Sequence, residues 1–190
     1  MEFWDIMFVL LVLIALVCAS YCYYEMKVGV ATFPTMPTAR KKMIEAIQED
    51  FAAKKSQLPP GHTYTIIDMG SGSGQLTWRI ARAMPEAKVV GIELSIIPWL
   101  RSVVHQKLFG PANLSYARVN FWPYDVSKAD VVITYLFGPV MEKMSTKLRQ
   151  EMKSGSLVLS NKFRFVNWDD VETTVVKVPF TQNLYVYRLT

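Results

Sequence analysis

Cysteine is nearly missing from this chain of 190 residues: the two present, Cys18 and Cys22, both fall inside an apolar run. Their i, i+4 spacing puts them on one helix face, which does not favour a mutual disulfide. Histidine is almost as scarce, as His62 and His105 alone, so no Cys/His metal pattern can be assembled. Lys and Arg are absent ahead of the apolar run. The first residues carry Glu2 and Asp5 instead. That argues against a cleaved signal peptide with a basic leader and against an Arg-rich transit peptide. Internal repeats and low-complexity tracts are absent as well. Charge is only modestly unbalanced, at +5, and Arg40, Lys41 and Lys42 supply part of the excess. This is too little to single out nucleic acid as a partner, and none is expected.

What the chain has in excess is apolar residues, 51% of the total, and many lie at the N-terminus. Residues 6–24, IMFVLLVLIALVCASYCYY, carry no charge. A bilayer-crossing helix needs about 20 such residues. Phe3 and Trp4 at one end, with Tyr21, Tyr23 and Tyr24 at the other, match interfacial aromatic belts. A retained single-pass anchor over residues 1–26 is expected. Positive charge follows it (Lys27, Arg40, Lys41, Lys42), which places the bulk of the chain on the cytoplasmic side, or the matrix side in a mitochondrion. Residues 27–62 read as a two-proline linker and one helix, capped at Thr38, with Met43, Ile44, Ile47 and Phe51 at helical spacing. Residues 63–190 read as one α/β domain.

The domain is organised around YTIIDMGSGSG, residues 64–74. A short apolar strand ends at Asp68, a glycine-rich turn follows, and QLTWRIARAM begins a helix. Glycine lets the backbone take positive φ and approach a ligand closely. The helix start beyond offers free N–H groups. The spacing of Gly70, Gly72 and Gly74 is G-x-G-x-G. The dinucleotide fingerprint needs its last small residue one place later, where Gln75 stands, and no Gly-Lys-Ser/Thr completes a P-loop. Asp68 would repel a pyrophosphate and suits a ligand bearing positive charge and an amino group.

Further βα units follow. AKVVGIEL is a strand closing on Glu93, and an acid about 20 residues past the turn can bond ribose hydroxyls. A helix runs from Ser95 to about Phe109, with Pro98 in its first turn. Strands are expected at 114–119, 129–136 and 156–163, a helix at 138–153, and two final strands at 171–178 and 184–189. Residues 122–128 read as a loop. The link after the fifth strand is too short for a crossover helix, so the last layer is reduced.

Asp68-x-Gly-x-Gly-x-Gly resembles motif I of class I S-adenosylmethionine-dependent methyltransferases. The apolar anchor, the prolines in Phe33-Pro34-Thr35-Met36-Pro37-Thr38 and the Tyr135-Leu136-Phe137 exit of the fourth strand resemble the small membrane-anchored lysine methyltransferases related to the mitochondrial enzymes acting on ATP synthase subunit c and the adenine nucleotide translocase. The resemblance implies a Rossmann-like class I methyltransferase sheet and S-adenosylmethionine as cofactor. It implies contacts from Asp68, Gly70, Ser71, Gly72, Gly74 and Glu93, with Asn120 and Phe121 near the adenine. It implies a lysine of a membrane protein as acceptor, with Tyr135 and Phe137 in the catalytic mouth. Ser73 and the compressed final layer depart from the pattern. A lipid or small-molecule methyltransferase, or a non-catalytic cofactor-binding scaffold, would share the anchor and motif I. No metal is called for.

Overall fold

The computed structural model describes residues 3–28, 34–178 and 183–190. The chain runs α1 (Phe3–Val28), α2 (Pro37–Lys54), β1 (Thr65–Met69), α3 (Gln75–Ala83), β2 (Lys88–Ile92), α4 (Ile96–Phe109), β3 (Leu114–Ala117), β4 (Val131–Thr134), α5 (Pro139–Glu151), β5 (Leu157–Asn161), β6 (Glu172–Val176) and β7 (Leu184–Arg188). The strands form one sheet in the order β3-β2-β1-β4-β5-β7-β6. The first five are parallel, and β7 runs antiparallel to both its neighbours. The order reverses between β1 and β4, which sit side by side with Ile67 opposite Val132. In open α/β sheets the ligand crevice lies at the carboxyl ends of the strands at that switch point.

The two faces of the sheet are covered differently. On one, α2 and α3 bury Met43, Ile47, Ile80 and Ala81 against Ile66, Val89, Val131 and Leu159. On the other, α5 contributes Met141, Met144 and Leu148. The helices that a doubly wound fold would place after β3 and β5 are replaced by irregular loops. Those loops still pack apolar side chains: Phe121 and Val126 from the first, Phe165 and Trp168 from the second. Trp168 stacks on Phe165 at 4.5 Å between ring centroids and meets Tyr187 of β7 edge-on at 4.9 Å. The Phe165 N–H donates to the Tyr187 hydroxyl at 3.0 Å. The short link after β5 thus reaches the final strands by packing aromatics where a crossover helix would otherwise lie.

A buried carboxylate fastens α2 to the sheet. Asp50 accepts from the Tyr64 hydroxyl (2.5 Å), Lys54 Nζ (2.8 Å) and Arg188 Nη1 (2.6 Å). Several donors around one buried charge offset its desolvation. Helix α2 is therefore joined to the sheet by Asp50 as well as by its apolar face, although it precedes the sheet in sequence.

Element ends differ from expectation by a few residues. Helix α2 begins at Pro37 with Met36 as N-cap and no side-chain cap, so Thr38 is already inside the helix. Proline at the first helical position loses no needed N–H. Ser95 is the N-cap of α4, but its side chain makes no cap bond. Strand β4 ends at Thr134, and Tyr135 to Phe137 leave the ladder. The link between β6 and β7 centres on residues outside those described.

Helix α1 is exposed through its apolar length. Its 22-residue stretch Phe3–Tyr24 is long and apolar enough to cross a bilayer. It would reach about 33 Å at 1.5 Å per residue, against a hydrocarbon core of about 30 Å. Signal sequences near an N-terminus share these properties.

Trp168→Ala removes the centre of the aromatic patch that replaces a helix. It should destabilise the fold by about 3–5 kcal/mol, the usual cost of emptying a large buried aromatic site. Urea titration should show a lower midpoint with an unchanged slope.

Candidate active site

The glycine turn leaves β1 at its carboxyl end, bordering the crevice. Gly70, Gly72 and Gly74 all have positive φ, at 86°, 56° and 75°. The Gly70 and Ser71 N–H groups both donate to the Ile92 carbonyl at 2.9 Å, locking the turn to the end of β2. A Cβ built on Gly70 would meet nothing within 4 Å, so open space lies over the turn. At Gly74 the reason for glycine is contact: a Cβ there would come within 2.2 Å of the Tyr116 hydroxyl, which donates to the Gly74 carbonyl at 3.0 Å. Gly91 on β2 is pressed by the same ring, 2.5 Å from an added Cβ. Tyr116 and Gly91 carry no signal in the sequence, where both read as ordinary strand residues.

Glu93 is buried at the end of β2 and accepts two backbone N–H groups, from Gly72 at 2.9 Å and Ser95 at 2.7 Å. It ties the glycine turn to the start of α4. Asp68 is buried beside it and accepts from the Thr77 hydroxyl at 2.9 Å. Burial pushes the Asp68 carboxyl up to about 7; the Glu93 charge adds to this, and the Thr77 bond opposes it. Two carboxylates in a low-dielectric crevice repel. A cationic ligand would relieve that repulsion. The buried Ser71 Oγ and Thr134 Oγ1 lack protein partners. They belong to the glycine turn and to the end of β4, the two segments that bound the crevice. Open space above the turn, two carboxylates and two unpaired hydroxyls fit a cofactor carrying an ammonium, a sulfonium and ribose hydroxyls.

The remaining expected residues fall into two groups. Asn120 lies just after β3, half-buried, with its Oδ1 bound to the Trp122 N–H at 3.0 Å. Phe121 is 5% exposed and packs in the core. The half-buried Trp122 meets its ring edge-on at 4.9 Å. At the end of β4, Tyr135 and Phe137 are half-buried, and both rings face Phe163, at 6.3 and 6.0 Å between centroids. Phe163 follows β5, and sequence reasoning missed it, having taken it as the last residue of a strand. It is swung out by Lys162, which has φ 74° although it is not glycine. Such strain clusters at functional sites. Lys162 Nζ lies 5.2 Å from the Phe163 ring centroid. Burial raises the Tyr135 phenol above its usual value, so its hydroxyl stays protonated at neutral pH. Among the described residues no group of three or more His, Cys, Asp or Glu side chains could hold a metal ion.

Comparison with known families decides the class. The ANTKMT methyltransferase domain model matches residues 68–172, from the acid of the glycine turn to the start of β6. The chain belongs to the ANTKMT methyltransferase domain family. It is similar to a protein-lysine N-methyltransferase of Saccharolobus islandicus (strain REY15A), 29% identical over 160 residues, covering 81% of this chain and 92% of that protein. It is also similar to the adenine nucleotide translocase lysine N-methyltransferase of Mus musculus, 27% identical over 114 residues, covering 58% of this chain and 48% of that one. Among solved structures it resembles an RNA methyltransferase from Salinibacter ruber bound to S-adenosyl-L-homocysteine, with TM-score 0.66, 26% identity, and coverage of 83% and 93%. The fold is the class I Rossmann-like methyltransferase fold with a mixed seven-stranded sheet. The protein is an S-adenosylmethionine-dependent methyltransferase.

The raised Asp68 carboxyl sets a pH dependence. In the free protein it ionises at about 7, and if Asp68 holds the cofactor's ammonium, only the ionised form pairs with that charge. Affinity for S-adenosylhomocysteine should rise between about pH 5.5 and 7.5, by up to about tenfold per unit for one linked proton. Stability should move the other way. Folded Asp68 keeps its proton up to about 7, whereas the unfolded residue loses it near about 3.9. Its contribution is full below the lower value and is lost as pH rises through the upper one. Asp68→Asn should flatten both profiles, weaken binding by calorimetry and raise the melting temperature of the free protein at pH 8.

Proposed function

We propose that this enzyme methylates the ε-amine of a lysine in a membrane protein, held at the bilayer by α1. The observation that carries the reading is the aromatic mouth of Tyr135, Phe137 and Phe163 beside the glycine turn, at the carboxyl ends of β4 and β5. The names of the two lysine methyltransferase relatives support it. The β4 exit, Thr134-Tyr135-Leu136-Phe137-Gly138-Pro139, also lacks the Asn/Asp-Pro-Pro-aromatic run of enzymes that methylate base amines or glutamine amides. The likeness to an RNA methyltransferase therefore bears on fold and cofactor, and leaves the acceptor to this chain's own residues.

In this reading Asp68 holds the cofactor's amino group and Glu93 its ribose hydroxyls. Gly70 to Gly74, with Ser71, lies along the methionine portion. Asn120 borders the adenine end, with Phe121 behind it. S-adenosylmethionine supplies a sulfonium-activated methyl group. The chain's own residues bring the acceptor into line with it, and positioning supplies much of the rate. The rings of Tyr135, Phe137 and Phe163 receive the lysine stem, and their aromatic faces attract its ammonium first. Closing off water then favours the neutral amine, because burial disfavours the charged form of a lysine. The proton leaves to solvent before attack. The neutral Tyr135 hydroxyl accepts one amine N–H, which leaves the nitrogen lone pair aimed at the crevice. No side chain needs to act as a strong base.

The membrane part rests on the apolar length and exposure of α1. Its aromatic pairs, Phe3 with Trp4 and Tyr23 with Tyr24, stand at the two ends as interface anchors do. The basic residues that follow favour a domain on the cytoplasmic side, or the matrix side in a mitochondrion, by the positive-inside bias.

Membrane proteins from cells with and without the gene, compared by mass spectrometry, should differ by loss of methyl-lysine at a site near the bilayer. Tritium from labelled cofactor should enter a protein band. Label in the lipid phase would favour a lipid or small-molecule acceptor, and no label a scaffold. Tyr135→Phe and Phe163→Ala should each lower kcat by about tenfold or more while leaving S-adenosylhomocysteine affinity unchanged, because both act on acceptor placement. Carbonate extraction should leave the full-length chain in the membrane pellet.

A further inference from the structure

Helix α4 has its polarity the wrong way round for a helix facing water. A surface helix normally turns charged and polar residues outward. Here Ile96, Leu100, Val104 and Leu108 recur every four residues along the outer side, at 41%, 53%, 48% and 65% exposure, while Pro98 and Ser102 are buried inward. Phe109 closes the row at 69%. The 14-residue helix gives an apolar strip about 21 Å long. The strip begins beside Glu93, at the mouth of the crevice, and runs away from it.

The charged side chains of the two helices around this strip are all basic. Arg101 and Lys107 are exposed on α4 itself. Helix α3 lies on the same face, where Trp78 meets His105 edge-on at 5.3 Å, and it adds Arg79 and Arg82. Neither helix contains an Asp or Glu. At the start of α2, Arg40 donates to Gln75 of α3 at 2.8 Å, which extends the basic surface. Helix α1 contacts α4. Residues 29–36, between α1 and α2, can span at most about 29 Å. The apolar strip and its basic rim thus lie on the side of the domain from which the apolar N-terminal helix departs.

We infer that the outer face of α4 lies in the headgroup layer of the membrane, with Leu100, Val104 and Leu108 inserted and the α3–α4 basic residues on anionic lipid. This rests on α1 being a membrane anchor. Apolar residues on one face with cations beside them are the pattern of an interfacial helix, and basic residues near an anionic leaflet add binding that salt weakens. A second copy fits less well, because a symmetric contact sets the same patch against itself and brings like charges together. The consequence is orientation. One anchor and a linker leave the domain free to tumble, and a second contact along α4 fixes the crevice at a constant height and angle to the bilayer.

The test uses the full chain with Cys18→Ala and Cys22→Ala, reconstituted in phosphatidylcholine vesicles with or without phosphatidylglycerol. An environment-sensitive fluorophore is attached at Val104→Cys or, as control, at Gln150→Cys on α5, across the sheet. Doxyl-labelled lipid should quench the probe at 104 and leave the one at 150 unchanged. Quenching at 104 should strengthen with anionic lipid and weaken with salt. Leu100→Glu with Leu108→Glu should abolish it while carbonate still leaves the chain in the pellet. Water-like emission at 104 in a chain that resists carbonate would overturn the inference and leave the anchor standing. Shielding at 104 without lipid quenching, together with a cross-linked dimer, would overturn it in favour of self-association. Release of the chain by carbonate would remove the anchor itself.

Discussion

The site depends on one carboxylate, Glu93, held between the N–H groups of Gly72 and Ser95. These bonds join three segments that are far apart in function: the glycine turn after β1, the end of β2 and the start of α4. Because they are charge-assisted, each is stronger than a neutral bond of the same geometry. The same charge reaches Asp68 and helps hold its carboxyl near neutrality. A methyltransferase must bind a cation next to its acceptor without keeping two unpaired carboxylates apart in the empty state. Burial raises the Asp68 carboxyl to about 7, so near neutral pH the empty crevice need not hold two full negative charges side by side.

The lopsided layers of the fold shape the loop that follows β5. Where β3 and β5 would feed helices, this chain uses loops that bury Phe121, Val126, Phe165 and Trp168. A loop leaves a strand end in more directions than a helix does. After β5, the left-handed Lys162 turns Phe163 toward Tyr135 and Phe137. The aromatics deeper in the loop supply the burial that stabilises this turn. Loss of a helix and the cluster of Tyr135, Phe137 and Phe163 are two results of the same short link.

The helical face has a different task. Its inner side is a conventional core of α2 and α3 on the sheet, pinned by Asp50 to Tyr64 and Arg188. Its outer side combines an apolar strip with basic residues, which suits a lipid surface. The cofactor crevice lies at the rim where the two sides of the sheet meet.

Much of this was legible in the sequence because it depends on local chemistry. Glycine at 70, 72 and 74, an acid before them and another after the next strand define a turn and its ligand whatever the rest of the chain does. Periodicity located the strands and helices, and the length of the last link excluded a crossover helix. Other features depended on contacts between segments far apart in sequence. Gly91 looked like any strand residue until Tyr116 was packed on it. Phe163 looked like a strand end until Lys162 took a left-handed turn. Phe121, expected near the adenine, proved to be packed into the core beside Trp122, which its sequence neighbours did not reveal. The outward face of α4 could not be told from its inward face, since apolar residues occur on both, and only the packing of the sheet decided which of them water, or a membrane, would meet.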